Sequence, residues 1–105
     1  ARARYRAMLD LLAEHEFLVG QYYYRRGAWE SARGRFEGLF AAFPEYSRMD
    51  KALFWAGLTE RRLGRTEDAR VLFDRLRKDH PESELLRKLP KLSPAPVPAE
   101  TAAGL

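Results

Sequence analysis

The chain has no cysteine, so disulfides, thiolate metal sites and cysteine nucleophiles are all excluded. Only two histidines occur, His15 and His80, and no metal-ligand spacing such as His-Glu-x-x-His accompanies either. Nucleophile elbows, phosphate-binding loops and acid/base carboxylate pairs are missing as well. The carboxylates lie in helical patterns beside basic residues three or four positions away, where solvated pairing is expected. The expectation is therefore no enzyme, no cofactor and no metal. No apolar run approaches membrane-spanning length, and the period-two alternation of a strand is absent.

What is there suits one small, folded, helix-rich protein: 105 residues, 46% hydrophobic and 32% charged. A net charge of +4 admits an acidic protein surface, anionic lipid or nucleic acid as partner without choosing among them. The basic residues Arg61, Arg62, Arg65, Arg70, Arg75, Arg77 and Lys78 are interspersed with Glu60, Glu67, Asp68, Asp74 and Asp79. That mixture reads as a charged helix face rather than a phosphate-binding stripe. Because residue 1 is alanine rather than methionine, the expectation is a processed chain or a fragment whose upstream part is missing.

Shifting the sequence by 37 positions superposes Phe17 on Phe54, Gly20 on Gly57, Gly27 on Gly64, Ala32 on Ala69 and Phe36 on Phe73, then Leu39, Pro44 and Glu45 on Leu76, Pro81 and Glu82. A fixed period of this kind marks stacked supersecondary units. Gly20 and Gly57 fall inside helical patterns, where glycine costs roughly 1 kcal/mol against alanine; they predict close helix crossings, with Ala32 and Ala69 as the small residues opposite. Gly27 and Gly64 stand where a helix must stop at a positive φ. Pro44 and Pro81 end the second helices.

Apolar residues step by three and four along Trp29, Ala32, Phe36, Leu39 and Phe43, and along Met49, Leu53 and Ala56. The spacing predicts helices at about 3–26, 29–43, 48–63, 67–79 and 83–89. Ser47 with Asp50 resembles a capping box, and Thr66 is a plausible cap for the fourth helix. Two repeats, about 12–44 and 49–81, then make up residues 1–92 with a terminal helix bearing Leu85, Leu86 and Leu89 as the cap. Residues 93–105, rich in proline and small residues, are expected to be a disordered tail.

The repeated Gly, Ala, Phe and Pro positions resemble the tetratricopeptide signature, whose usual period is about 34. The extra length falls in Glu45-Tyr46-Ser47-Arg48-Met49-Asp50. The fold expected is all-α, with tetratricopeptide hairpins stacked as a short right-handed solenoid. A narrower likeness lies in Leu12-Ala13-Glu14-His15-Glu16-Phe17, Tyr22-Tyr23, Arg26-Gly27-Ala28-Trp29 and Arg35-Phe36-Glu37-Gly38. Over roughly residues 10–90 these resemble BamD, a family of outer-membrane lipoproteins of the β-barrel assembly machinery, and match its last two repeats.

The resemblance implies a scaffold at the periplasmic face of the outer membrane. Its C-terminal repeats dock on the POTRA domain of BamA nearest the barrel, an arginine at the place of Arg35 takes part, and Arg26 matches another family arginine near that surface. The family's N-terminal repeats and lipidated cysteine have no counterpart in these residues. Two other readings keep a similar fold. One is a CpoB-like, Tol-associated adaptor; the other is a peptide-binding co-chaperone module, whose carboxylate clamp Gln21 and Leu58 do not supply.

Taking Phe36 as inward, Arg35 lies about 100° round its helix, on the flank. There it either reaches an acidic partner or pairs within the chain. Outward fall Ser31, Gly34, Gly38, Ala41 and Ala42, a smooth stripe that the equivalent positions of the fourth helix, Asp68, Val71, Arg75, Lys78 and Asp79, do not repeat. Gly34 and Gly38 there imply either close approach by another backbone or simple tolerance of small residues. Tyr23 and Trp29 are expected in the core, and Tyr22 and Tyr24 point to opposite sides, leaving one for a partner.

Overall fold

In a computed structural model, which describes residues 2–92, the chain is all-helical. Helix α1 runs Arg2–Arg25, α2 Trp29–Ala42, α3 Met49–Arg62 and α4 Thr66–Asp79, followed by a short 3-10 helix, Glu84–Lys88. No strand occurs among the described residues. Helix α1 packs chiefly on α2 and α3 on α4, and α2 joins the two hairpins by packing on α3. The expected tail, 93–105, lies outside the described residues.

Both hairpins turn in the same way. Gly27 and Gly64 each take φ 78°. Gly27 N–H donates to Tyr24 O and Ala28 N–H to Tyr23 O, while Gly64 N–H donates to Arg61 O and Arg65 N–H to Glu60 O. These pairs of bonds make a Schellman ending, in which glycine supplies the left-handed residue without a Cβ penalty. Helices α2 and α4 stop differently. Phe43 and His80 leave helical geometry at φ −132° and −134°, their amides bonded back to Leu39 and Leu76, and the prolines that follow restrict them.

The close crossings form, but against a different residue from the one expected. A Cβ on Gly20 would lie 2.7 Å from Cε1 of Phe36, and one on Gly57 would meet the ring of Phe73. Ala32 and Ala69 are fully buried, yet the phenylalanine rings, not these alanines, fill the glycine notches. Each ring also meets a phenylalanine of its own hairpin: Phe17–Phe36 centroids are 6.1 Å apart and Phe54–Phe73 6.4 Å. Phe36 and Phe73 thus have equivalent surroundings.

The expected caps are corrected. Ala28 and Arg65, the residues that complete the Schellman bonds, also open α2 and α4, so the turn leaves no place for a separate capping side chain, and Thr66 is already helical. Ser47 does not cap α3 either. Its hydroxyl and amide donate to the Asp10 carboxylate at 2.6 and 2.7 Å, and Asp50 accepts instead from Arg48 and, at 2.8 Å, from the Ser83 hydroxyl. The terminal helix is a 3-10 turn rather than an α-helix, because Leu89, preceding Pro90, is already extended. Leu85, Leu86 and Leu89 still pack on the core.

These geometries separate the helical glycines. In urea unfolding, Gly57→Ala should destabilise by about 1–3 kcal/mol, because overpacking against a fully buried ring outweighs the better helix propensity. Gly34→Ala and Gly38→Ala, whose Cβ atoms would meet nothing within 4 Å, should each stabilise by up to about 1 kcal/mol.

Candidate protein-docking surface

Ser31, Gly34, Gly38, Ala41 and Ala42 all lie on the exposed side of α2. Beside them Arg35 reaches back to α1, where its Nη1 is 3.4 Å from Glu16 Oε2, with side chains 46% and 29% exposed. The pair is long and solvated, the kind that contributes about 0–1 kcal/mol, and it occupies one guanidinium nitrogen. Of the alternatives for Arg35, an internal pair is present and the side chain stays nearly half-exposed.

Arg26 forms a second station. Its guanidinium lies 5.2 Å over the ring of Tyr22, which is 54% exposed and meets Tyr23 edge-on. No hydrogen bond, ion pair or ring contact joins this station to Arg35 among the described residues. Tyr24, on the other side of α1, packs edge-on against Trp55 of the second repeat at 5.3 Å. Tyr22 is therefore the accessible one of that pair; Tyr23, half-buried, packs against the core as expected, whereas Trp29 is half-buried at its edge.

Sequence reasoning missed a set of contacts that cross from one repeat to the other. Arg62 lies 5.6 Å over Trp29 and its Nε donates to Tyr24 Oη at 3.3 Å. Arg25 lies 5.6 Å over Trp55. Arg33 Nε donates to the buried Glu60 at 2.9 Å, with Glu37 taking a second guanidinium nitrogen at 3.0 Å. Apart from Glu37, an i,i+4 neighbour of Arg33 on α2, the partners stand 27 to 38 positions apart, and no local spacing announces them. Tyr46, buried on Phe17, donates to Glu14; burial first, and then that hydrogen bond, push its hydroxyl pKa well up.

Helix α1 carries one more surface. Tyr5, Met8, Leu11, Leu12, Leu18 and Tyr22 are all exposed, Leu11 by 72%, on the side opposite Ala13, Phe17 and Gly20. Among the described residues no group of three histidines or carboxylates is placed to hold a metal ion, and no helix is long and apolar enough to cross a membrane.

Two carboxylates respond oppositely to pH. Burial pushes the Glu60 carboxyl above its ordinary range against the opposing pull of Arg33. Its stabilising contribution is complete below the unfolded value and is lost as pH rises through the raised one. The Ser47 hydroxyl and amide hold Asp10 below the ordinary range, so its contribution is present above the unfolded value and lost as pH falls through the lowered one. In melts from pH about 7 to about 3, the deficit of Asp10→Asn relative to the parent should therefore shrink towards acid. Glu60→Gln should compare best with the parent at neutral pH and lose ground towards acid.

A family model described as YfiO, outer membrane lipoprotein, matches residues 1–76, covering α1, α2, α3 and most of α4. No curated protein and no solved structure matches significantly. The match spans the helices that carry Arg26, Arg35 and the smooth stripe, and on it the chain belongs to the YfiO family of outer membrane lipoproteins, the BamD-like family that its first repeat resembles.

Proposed function

We propose that this chain is the BamA-docking part of a BamD-like component of the outer-membrane β-barrel assembly machinery, working as a scaffold at the periplasmic face of the outer membrane. The observation that carries the proposal is Arg35, half-exposed beside a stripe of α2 on which no side chain is larger than serine or alanine. A flat backbone surface admits close approach by another chain, and a flanking guanidinium supplies a planar fork for an acidic group. Arg26, over Tyr22, offers a second anchor, of a type enriched at interface hot spots, wherever no preceding hairpin covers it. No cofactor takes part.

The outer face of α1 supports placing these helices as the last two repeats of such a protein. Leu12, His15, Val19 and Tyr22 stand 37 positions before Met49, Ala52, Ala56 and Thr59, all buried on the face of α3 turned to the first hairpin. An equivalent hairpin ahead of α1 would cover the exposed set in the same way.

Calorimetric titration with the barrel-proximal POTRA domain of BamA tests the docking. Arg35→Ala should weaken binding about tenfold, and Gly34→Arg or Gly38→Arg should weaken it with the helical circular dichroism intact. Glu16→Gln, which only frees Arg35, should leave binding at least as tight. Unchanged affinity in Arg35→Ala and Gly38→Arg would sink the proposal, and recovery of TolA instead of BamA from envelope extract would move the chain to the Tol-associated adaptors.

A further inference from the structure

The arginines fall into two groups. Arg33, Arg35, Arg48, Arg65, Arg70, Arg75 and Arg77 each stand within 4.0 Å of a carboxylate oxygen. Arg25, Arg26, Arg61 and Arg62 have no such partner among the described residues, and all four sit at the C-terminal ends of α1 and α3. A favourable interaction with the helix dipole accounts for basic residues in a last turn. It does not account for what Arg25 and Arg62 rest on. They approach one Tyr24–Trp55 pair from different repeats, Arg25 over Trp55 and Arg62 bonded to Tyr24 and over Trp29. Among the described residues Arg2, Arg4, Arg6 and Arg87 also stand away from carboxylates, but no ring contact holds them.

We propose that Arg25 and Arg62, laid on the half-buried Tyr24, Trp29 and Trp55 at the seam between the repeats, form a docking site for an acidic segment of a partner protein. A guanidinium group held over a ring keeps N–H donors at its edge to receive carboxylates, and on Arg62 the two Nη groups remain after Nε has bonded Tyr24. Fixing both groups beforehand lowers the ordering cost of binding. A protein segment fits better than nucleic acid, whose bases need open ring faces, because guanidinium groups already cover Trp29 and Trp55. It fits better than a lipid surface because these rings are recessed rather than projecting. The site extends the scaffold reading and lies apart from Arg35.

Both tryptophans of the chain, Trp29 and Trp55, belong to this cluster, so their emission reports on it directly. Titration of the full chain with hexaglutamate should give a saturable change in emission that hexaglutamine does not. Arg25→Gln and Arg62→Gln should each weaken it about tenfold, with circular dichroism unchanged. Lysine at either position keeps the charge without the fork and should restore only part of the affinity. Arg4→Gln with Arg6→Gln should change nothing. The proposal fails if hexaglutamate gives no saturable response, or if the Arg25 and Arg62 variants bind as the parent does. It fails equally if phosphatidylglycerol vesicles, and not hexaglutamate, produce the arginine-dependent change, which would assign the site to lipid. Because no POTRA domain is present, these outcomes are independent of the Arg35 titration.

Discussion

Each hairpin is set by an aromatic ring seated in a notch that only glycine can leave. With Phe36 against Gly20, the axes of α1 and α2 approach more closely than any side chain at position 20 would permit. The same holds for Phe73 against Gly57. Once the crossing is fixed, the Schellman turn at Gly27 or Gly64 has one geometry to close, and the outward sides of α2 and α4 follow from helical periodicity. The exposure of Arg35 and of the stripe at Gly34 and Gly38 is thus a consequence of packing on the opposite side of the same helix. A glycine that gives up helix propensity for a buried contact differs in kind from one that gives it up facing solvent. Gly20 and Gly57 are explained by what touches them, whereas Gly34 and Gly38 touch nothing within the chain.

Between the hairpins the join is more polar. Glu60 and Arg33 link α3 to α2, Asp10 with Ser47 fastens the inter-repeat loop to α1, and Asp50 with Ser83 ties the terminal turn to α3. Glu60 is buried and paired, so removing Arg33 alone would leave an uncompensated carboxylate. Asp10 is solvated and held chiefly by neutral donors. The seam is consequently sensitive to pH in two directions, while the glycine notches that set the crossings inside each hairpin are filled by phenylalanine rings.

The internal period made the fold legible. Phe17, Gly20, Gly27, Ala32, Phe36 and Pro44 all recur at one spacing, where notches, rings, turns and helix ends require them, and the helix ends they imply lie within a few residues of those observed. The caps were not legible, since Ser47 looks like a local cap and in fact bonds Asp10, 37 positions away. Nor was the arginine–aromatic seam, because Arg25 and Arg62 meet their rings only once two repeats are stacked. Sequence spacing shows which face of a helix a residue occupies. It does not show which residue of another repeat lies opposite, and that limit separates Arg35, found on its predicted flank, from Arg62, read only as part of a mixed charged surface.

The outer face of α1 bears on how the two arginine stations should be weighed. The face of α3 holding Met49, Ala52, Ala56 and Thr59 is buried because the first hairpin lies over it, with Lys51, Trp55 and Arg62 reaching α1 and Glu60 reaching α2. Tyr22 is the counterpart of Thr59, so a hairpin stacked ahead of α1 in the same register would cover Tyr22 and crowd Arg26. The counterparts of the α2 stripe on α4 stay exposed beside the first hairpin, whereas Leu72, the counterpart of Arg35, is half-buried against the core, so a preceding hairpin would leave the stripe open and border Arg35. Within a longer solenoid the Arg26–Tyr22 station becomes part of a seam, as Arg62 with Tyr24 already is, and docking falls to the stripe of α2 with Arg35 at its edge.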